Sequence, residues 1–247
     1  MAKIKLYTRN ILEDGTVTVT GTADTGYPKA RLYDRAISLY WKDTVTEAKT
    51  FHVDQGASGN ESVDILIIPK HNFNGADMTW EYSTDDSNWT AAVAGWTQGD
   101  NNQIVKTIAA ALTKRYWRVT VSSMANPQCS EIFMSYGYEF KVDFVSNPVL
   151  VDVPNVQWSQ SVGGLERSTR FGNERRQRSY AIFLDTTDLA SFRAAMDDLN
   201  HYSKPFYLKD HEDSYFMVRF VGSGAPPDES FMTEGHVTMA VNFIEML

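Results

Sequence analysis

A chain of 247 residues with 43% hydrophobic and 13% aromatic side chains can bury one large core or two medium ones, which excludes a disordered chain. A net charge of -8 argues against a generic nucleic-acid binder, whose surface would be basic. Cys129 is the only cysteine, so neither an intrachain disulfide nor a cysteine zinc site can form, and no window approaches the roughly 20 apolar residues of a membrane-spanning helix. The opening residues lack the apolar run of a secretory signal, so the expectation is cytoplasmic synthesis without membrane insertion.

In chain order, Thr16-Val17-Thr18-Val19-Thr20 alternates polar and apolar between glycines and predicts a strand. Gly26-Tyr27-Pro28 predicts a turn, and Phe51-His52-Val53-Asp54 a short strand. Residues 63–68 are apolar almost throughout and end at Pro69, which predicts a strand covered on both faces. Met78, Trp80 and Tyr82 then alternate with Thr79, Glu81 and Ser83, a strand with one face buried. Four turn formers follow, Asp85-Asp86-Ser87-Asn88, and Trp89 closes the turn. Residues 103–113 fit a helical face as well as a strand, and the strong beta pattern of residues 115–121 beside them favours a strand. Ser130-Glu131-Ile132-Phe133-Met134-Ser135 completes a series of short strands with no secure helix among them.

The second half differs. Residues 139–154 are apolar and extended, with Pro148 and Pro154 forbidding a helix, so they predict a strand-like connector. Five arginines (Arg167, Arg170, Arg175, Arg176, Arg178) crowd residues 166–178 beside Glu166 and Glu174. A strand is expected at 180–184 and a helix at 187–201, where Leu189, Phe192, Met196 and Leu199 recur at helical spacing behind a Thr186 or Thr187 cap. Pro205 ends the helix. Strands are expected at 206–208, 215–221 and 236–244, the last two joined by a loop at 222–228. The fold expected is mainly β: a β-sandwich jelly roll in residues 1–140, then a small antiparallel β-barrel or sandwich with one α-helix in residues 141–247.

Several segments in order carry a family resemblance: Gly26-Tyr27-Pro28, Leu32-Tyr33-Asp34, Tyr40-Trp41, residues 65–68 with His71-Asn72, residues 80–89, residues 115–119 and Ser130-Glu131-Ile132. Over residues 16–138 the chain resembles the discoidin-like (coagulation-factor type C, galactose-binding-like) jelly roll. That resemblance implies an eight-stranded sandwich whose loops at one end bind sugars, lipids or proteins. The disulfide of many secreted relatives is absent. The Arg-rich strand, the Leu-x-x-Phe-Arg helix, Lys204-Pro205-Phe206-Tyr207 and residues 215–220 resemble the barrel domain of distal-tail and minor-tail proteins of tailed phages. This second resemblance implies a non-enzymatic subunit of a phage or prophage tail tip or baseplate. It further implies a ring-like homo-oligomer in the virion tail, with other tail proteins and a host-surface glycan as partners.

The chemistry motifs are mostly missing. No nucleophile elbow, phosphate loop, zinc-protease helix or dinucleotide fingerprint is present, and no catalytic residue, metal or cofactor is expected. His211-Glu212-Asp213 with Asp210 has cation-binding residue types, against which stands a solvated turn between two strands. Trp80 and Trp117 lie within strands and are expected in the core. Trp96, in a polar Gly-rich loop, and Phe73, in His71-Asn72-Phe73-Asn74-Gly75, are the candidate ligand-stacking rings. The five arginines are candidates for subunit contacts, because a planar guanidinium pairs carboxylates across interfaces; a solvated face fits them equally. A stand-alone carbohydrate-binding module is the competing function, and a glycan-acting enzyme stands behind it.

Overall fold

A computed structural model describes residues 3–57, 61–141, 148–170, 172–200, 202–221, 227, 229–231 and 236–246. The chain divides into two compact units, Tyr7–Gly137 and a second made of Met1–Leu6 with Tyr138–Leu247. The expected boundary at 140/141 is therefore shifted, and the first residues change sides. Lys5–Tyr7 is the cause: it pairs with Tyr138–Glu139 and lies next to Phe206–Lys209 in the sheet of the second unit.

The Tyr7–Gly137 unit is a β-sandwich jelly roll. One sheet runs Thr16–Val19, Glu47–Asp54, Tyr116–Met124, Asp77–Ser83 and Thr90–Ala91, with Trp96–Thr97 also pairing Asp77–Ser83. The other runs Phe133–Ser135, Ser62–Ile68, Ile104–Thr113. Residues 103–113 thus resolve as strand. Alternation decides what each strand buries: Phe51 and Val53, Met78 and Trp80, and Trp117, Val119 and Val121 all point into one core with Val63, Leu66 and Ile68 of the opposite sheet. Trp80 and Trp117 sit 5.6 Å apart at its centre, as the sequence indicates. The apolar run at residues 63–68 is buried throughout, because its strand is covered on both faces.

Two buried polar clusters brace this core. Lys49 and Asp43 are fully buried and paired at 2.7 Å, with Glu47 at 2.8 Å from the same ammonium. Gly21, at a φ of 91°, lies over the trio; a Cβ there would come within 2.3 Å of Asp43 Oδ2. Only glycine fits that position. In the second, Glu131, fully buried, accepts from the Asn10 amide at 3.2 Å and from the Arg35 backbone N–H at 3.0 Å.

The second unit is built on a sheet ordered Tyr138–Glu139, Lys5–Tyr7, Phe206–Lys209, Tyr215–Phe220, Val237–Glu245, Arg175–Leu184, Val149–Val153, with Glu229–Phe231 also on Val237–Glu245. The chain as a whole is mainly β, as expected; among the described residues this path has two ends and does not close into a barrel. The helix spans Thr186–Asp197 and buries Leu189, Phe192 and Met196. It is shorter than the expected 187–201, because Asp197-Asp198 places two acids at the negative end of the helix dipole and Asn200 adopts a φ of 48°. His201 and most of the 222–228 loop lie outside the described residues. The cap is Asp185, one residue before the expected threonines, accepting from the Asp188 N–H at 2.7 Å.

Arg178 organises this unit. It is 1% exposed and donates to Asp210 at 3.0 Å and Glu245 at 2.8 Å, with its guanidinium carbon 3.8 Å from the Phe216 ring centroid. Asp210 also accepts from the Glu212 and Ser214 amides, so the residues with cation-binding types form a turn wrapped around a buried carboxylate. Among the described residues no group of three or more metal-ligating side chains converges. Replacing Arg178 with alanine leaves two acids uncompensated and is expected to cost about 3–5 kcal/mol in urea unfolding. A loss within about 1 kcal/mol would refute this role.

Candidate functional site

The register that buries the tryptophans also builds a polar surface on the outer face of the larger sheet. In one row across the strands, Thr18 is opposite His52, His52 opposite Arg118, and Arg118 opposite Glu81. The next row sets Thr16 opposite Asp54, and Asp54 opposite Tyr116. A third sets Thr50 opposite Thr120, and Thr120 opposite Thr79, the last two hydroxyls 2.6 Å apart. Each is an outward residue of an alternating strand, so a one-residue slip in any strand would bury it.

The turn at residues 85–89 folds back onto this face. Asp85 fixes its shape: one carboxylate oxygen accepts from the Ser87 N–H at 3.0 Å and the Asn88 N–H at 2.8 Å, the other from the Asn88 amide at 2.6 Å. These bonds, the Asn88 backbone N–H foremost, hold the Asp85 carboxyl well below the usual carboxylate range. Asp86, at a φ of 59°, then reaches His52 Nε2 at 3.0 Å. The His52 ring is held at its other nitrogen by Thr18 Oγ1 at 3.2 Å. Trp89 lies with the Arg118 guanidinium carbon 4.0 Å from its ring centroid and meets His52 edge-on at 5.7 Å. Arg118 is oriented by a 2.7 Å bond from its Nε to Glu81.

The result is an open cavity of about 460 Å³ lined by Thr16, Thr18, Thr50, His52, Asp54, Asp86, Trp89 and Arg118. One aromatic ring, two carboxylates, a guanidinium, an imidazole and three hydroxyls converge on it. Asp54 is held by Arg115 in a two-pronged pair at 2.7 and 2.9 Å, which keeps its carboxyl below the ordinary value. A carboxyl kept ionised accepts hydrogen bonds and is a poor general acid. The connectivity Thr18–His52–Asp86 repeats the order of a nucleophile, base and orienting acid, but a threonine hydroxyl bonded to a histidine directly opposite on the neighbouring strand is equally a polar cross-strand pair. The arrangement suits binding.

The rings expected to bind are elsewhere. Phe73 is fully buried, stacked on His71 at 5.1 Å and tilted against Phe51, so it is a core residue. The expectation for Phe73 is corrected: its loop turns inward because the flanking Gly75, at a φ of 81°, reverses the chain. Trp96 is part-buried on the short strand Trp96–Thr97, with Lys106 Nζ 4.4 Å from its ring centroid and its indole N–H on Gln98, and it does not line the cavity. Among the arginines, Arg178 is buried in its own unit and is no subunit contact. Arg176 is exposed and bonds Asp152; Arg170 is exposed near Glu174; Arg167 is exposed and Arg175 part-buried.

No protein-family model matches the sequence, and no curated protein matches it. Solved structures do. The chain is similar to chitosan-binding module 1 of a chitosanase/glucanase from Paenibacillus sp. IK-5, at 20% identity and a TM-score of 0.43 over 52% of this chain and 99% of that one. It is similar to CpGH89CBM32-6 from Clostridium perfringens, at 20% identity and a TM-score of 0.44 over 53% and 99%. A GH29 fucosidase of Ruminococcus gnavus matches at 20% identity and a TM-score of 0.44, over 54% of this chain and 28% of that chain.

Sequence reading missed His52, Asp54, Asp86 and Arg118 because it took alternation as a guide to the core. The outward half of the same pattern held the signal, but which outward residues are neighbours depends on register. Two measurements follow. Asp85→Ala should speed hydrogen exchange at the Ser87 and Asn88 amides while leaving the core amides protected, and unchanged exchange there would refute the turn's dependence on Asp85. The lowered Asp54 carboxyl makes a contribution to stability that is complete above its unfolded value, about 4, and drains as pH falls through the folded one. Arg115→Gln should flatten that acid-side slope in pH-dependent unfolding, and an unaltered slope would count against the pair.

Proposed function

We propose that the Tyr7–Gly137 unit binds a neutral carbohydrate on the outer face of its larger sheet. The observation that carries this reading is the joining of Trp89 to ordered hydrogen-bonding groups, His52, Asp54, Asp86, Arg118 and three threonines, around one open cavity. A sugar ring has apolar C–H faces that pack on an aromatic plane and hydroxyls that both donate and accept. Asp86 and Asp54 supply acceptors; Arg118, tied to Glu81 through Nε alone, keeps further N–H donors for a ligand. The charges are mixed, with each cation beside a carboxylate, which suits an uncharged ligand better than a polyanion or polycation.

Titration calorimetry against a panel of soluble neutral polysaccharides tests the reading. Trp89→Ala and Arg118→Ala should each weaken binding at least about tenfold, a change of roughly 1.4 kcal/mol, and Trp96→Ala should leave it unchanged. Binding lost with Trp96→Ala but kept with Trp89→Ala would move the site to the loop and overturn the assignment.

The sequence character of the second unit supports a finer reading. The protein is proposed as a non-enzymatic subunit of a phage or prophage tail tip, self-associating through the second unit, Arg167, Arg170, Arg175 and Arg176 among the contacts, and presenting the module to a host-surface glycan. Tape-measure and tail-fibre genes beside its own would support this placement. Glycoside hydrolase genes there would replace it with a stand-alone binding module.

A further inference from the structure

The second unit carries a sheet edge and a ribbon that its own chain leaves uncovered among the described residues. Val149–Val153 ends the strand order and pairs on one side only, with Arg175–Leu184. Val149 is 55%, Leu150 45% and Val151 48% exposed. The strand has no lysine and no internal proline, the usual protections of an edge, and its one charge, Asp152, is tied to Arg176 at 3.3 Å. Pro148 and Pro154 bracket it, so any added strand can pair over five residues and no further.

Two residues after the edge, Val156–Gln160 pairs with Glu166–Arg170 in an isolated ribbon. Nearly every side chain of the ribbon is exposed, with Trp158 at 70% and Leu165 at 71%. A two-stranded ribbon with no buried face is marginal in water, and a large ring and a leucine held in solvent mark a surface that something else covers.

We propose that this edge docks a second copy of the same chain, the two Val149–Val153 strands pairing antiparallel about a two-fold axis at Val151. The strand's own sequence favours that occupant. Val-Leu-Val-Asp-Val read against itself sets Val149 opposite Val153 and Val151 opposite Val151, which lays the valines of both copies in one continuous stripe, while Leu150 faces Asp152 on the other side. The contact gives the self-association proposed above a surface, but it rests on the geometry of the second unit alone.

The test is the oligomeric state of the full chain across a dilution series, by light scattering at high concentration and mass photometry at low. The wild type should be a dimer that dissociates on dilution. Val149→Lys with Val151→Lys should raise the dissociation constant at least about tenfold, with circular dichroism unchanged, and Tm unchanged at concentrations where the wild type is already monomeric, because both side chains are already exposed. Val151→Cys should form a covalent dimer under mild oxidation, since a residue on the axis meets its own copy and Cys129 is buried out of reach. A wild-type chain monomeric throughout would overturn both the edge contact and self-association, and would assign the edge to a strand from another protein. A dimer indifferent to the lysine pair, or a Val151→Cys variant that never crosslinks, would overturn the edge contact and leave self-association standing.

Discussion

One register couples the core of the Tyr7–Gly137 unit to its polar face. Because Trp117 lies opposite Val53 and Tyr82, Arg118 must lie opposite His52 and Glu81, and the same ladder hydrogen bonds enforce both. The core residues Phe51, Val53, Trp80, Trp117, Val119 and Val121 hold the register through burial, since a slip of one residue would exchange them for their outward neighbours, His52, Arg118 and Thr120 among them. Burying one large ring stabilises by about 3–5 kcal/mol relative to alanine. The polar face therefore inherits its precision from the hydrophobic side of the same strands. Side chains on a sheet backed by a packed core are already ordered, which lowers the entropic cost of any contact made there.

The turn at residues 85–89 is the part of the face that the register does not dictate. It is local chemistry. Asp85 uses both carboxylate oxygens to gather the amides of Ser87 and Asn88, and this fixes where Asp86 and Trp89 arrive. The site thus combines a rigid floor with a turn shaped by one side chain. The second unit follows a different plan, in which a buried guanidinium, Arg178, ties the Arg175–Leu184 strand to Asp210 and Glu245. Its free edge and ribbon, by contrast, have nothing of their own to pack on among the described residues.

Much of the fold was legible in the sequence, and the reasons are physical. Period-2 alternation in Met78, Trp80 and Tyr82 and in Trp117, Val119 and Val121 reports a half-buried strand directly, and the helix at 186–197 announces itself through Leu189, Phe192 and Met196. The site was legible only in part. Residues 85–89 stood out as an Asp-rich turn closed by Trp89, but their landing on His52 and Arg118 is a contact between residues more than 25 positions apart in sequence, which no local pattern encodes. Phe73 was misplaced because a polar, Gly-containing loop suggests an exposed ring, whereas this loop turns its phenylalanine onto His71 and Phe51. The arginine cluster misled in a similar way: alternation places Arg176 and Arg178 on the same face of one strand, and only the burial of Arg178 beside Asp210 and Glu245, contacts distant in sequence, separates it from the exposed Arg176.

The proposed function requires ligand contact on the polar outer face and not at a loop at the end of the sandwich. Amide and indole chemical-shift mapping during titration with a polysaccharide that binds addresses it most directly. Shifts should cluster at Thr18, His52, Asp86, Arg118 and the Trp89 indole N–H. Shifts confined to Trp96 and residues 97–102, with the Trp89 indole unmoved, would contradict it.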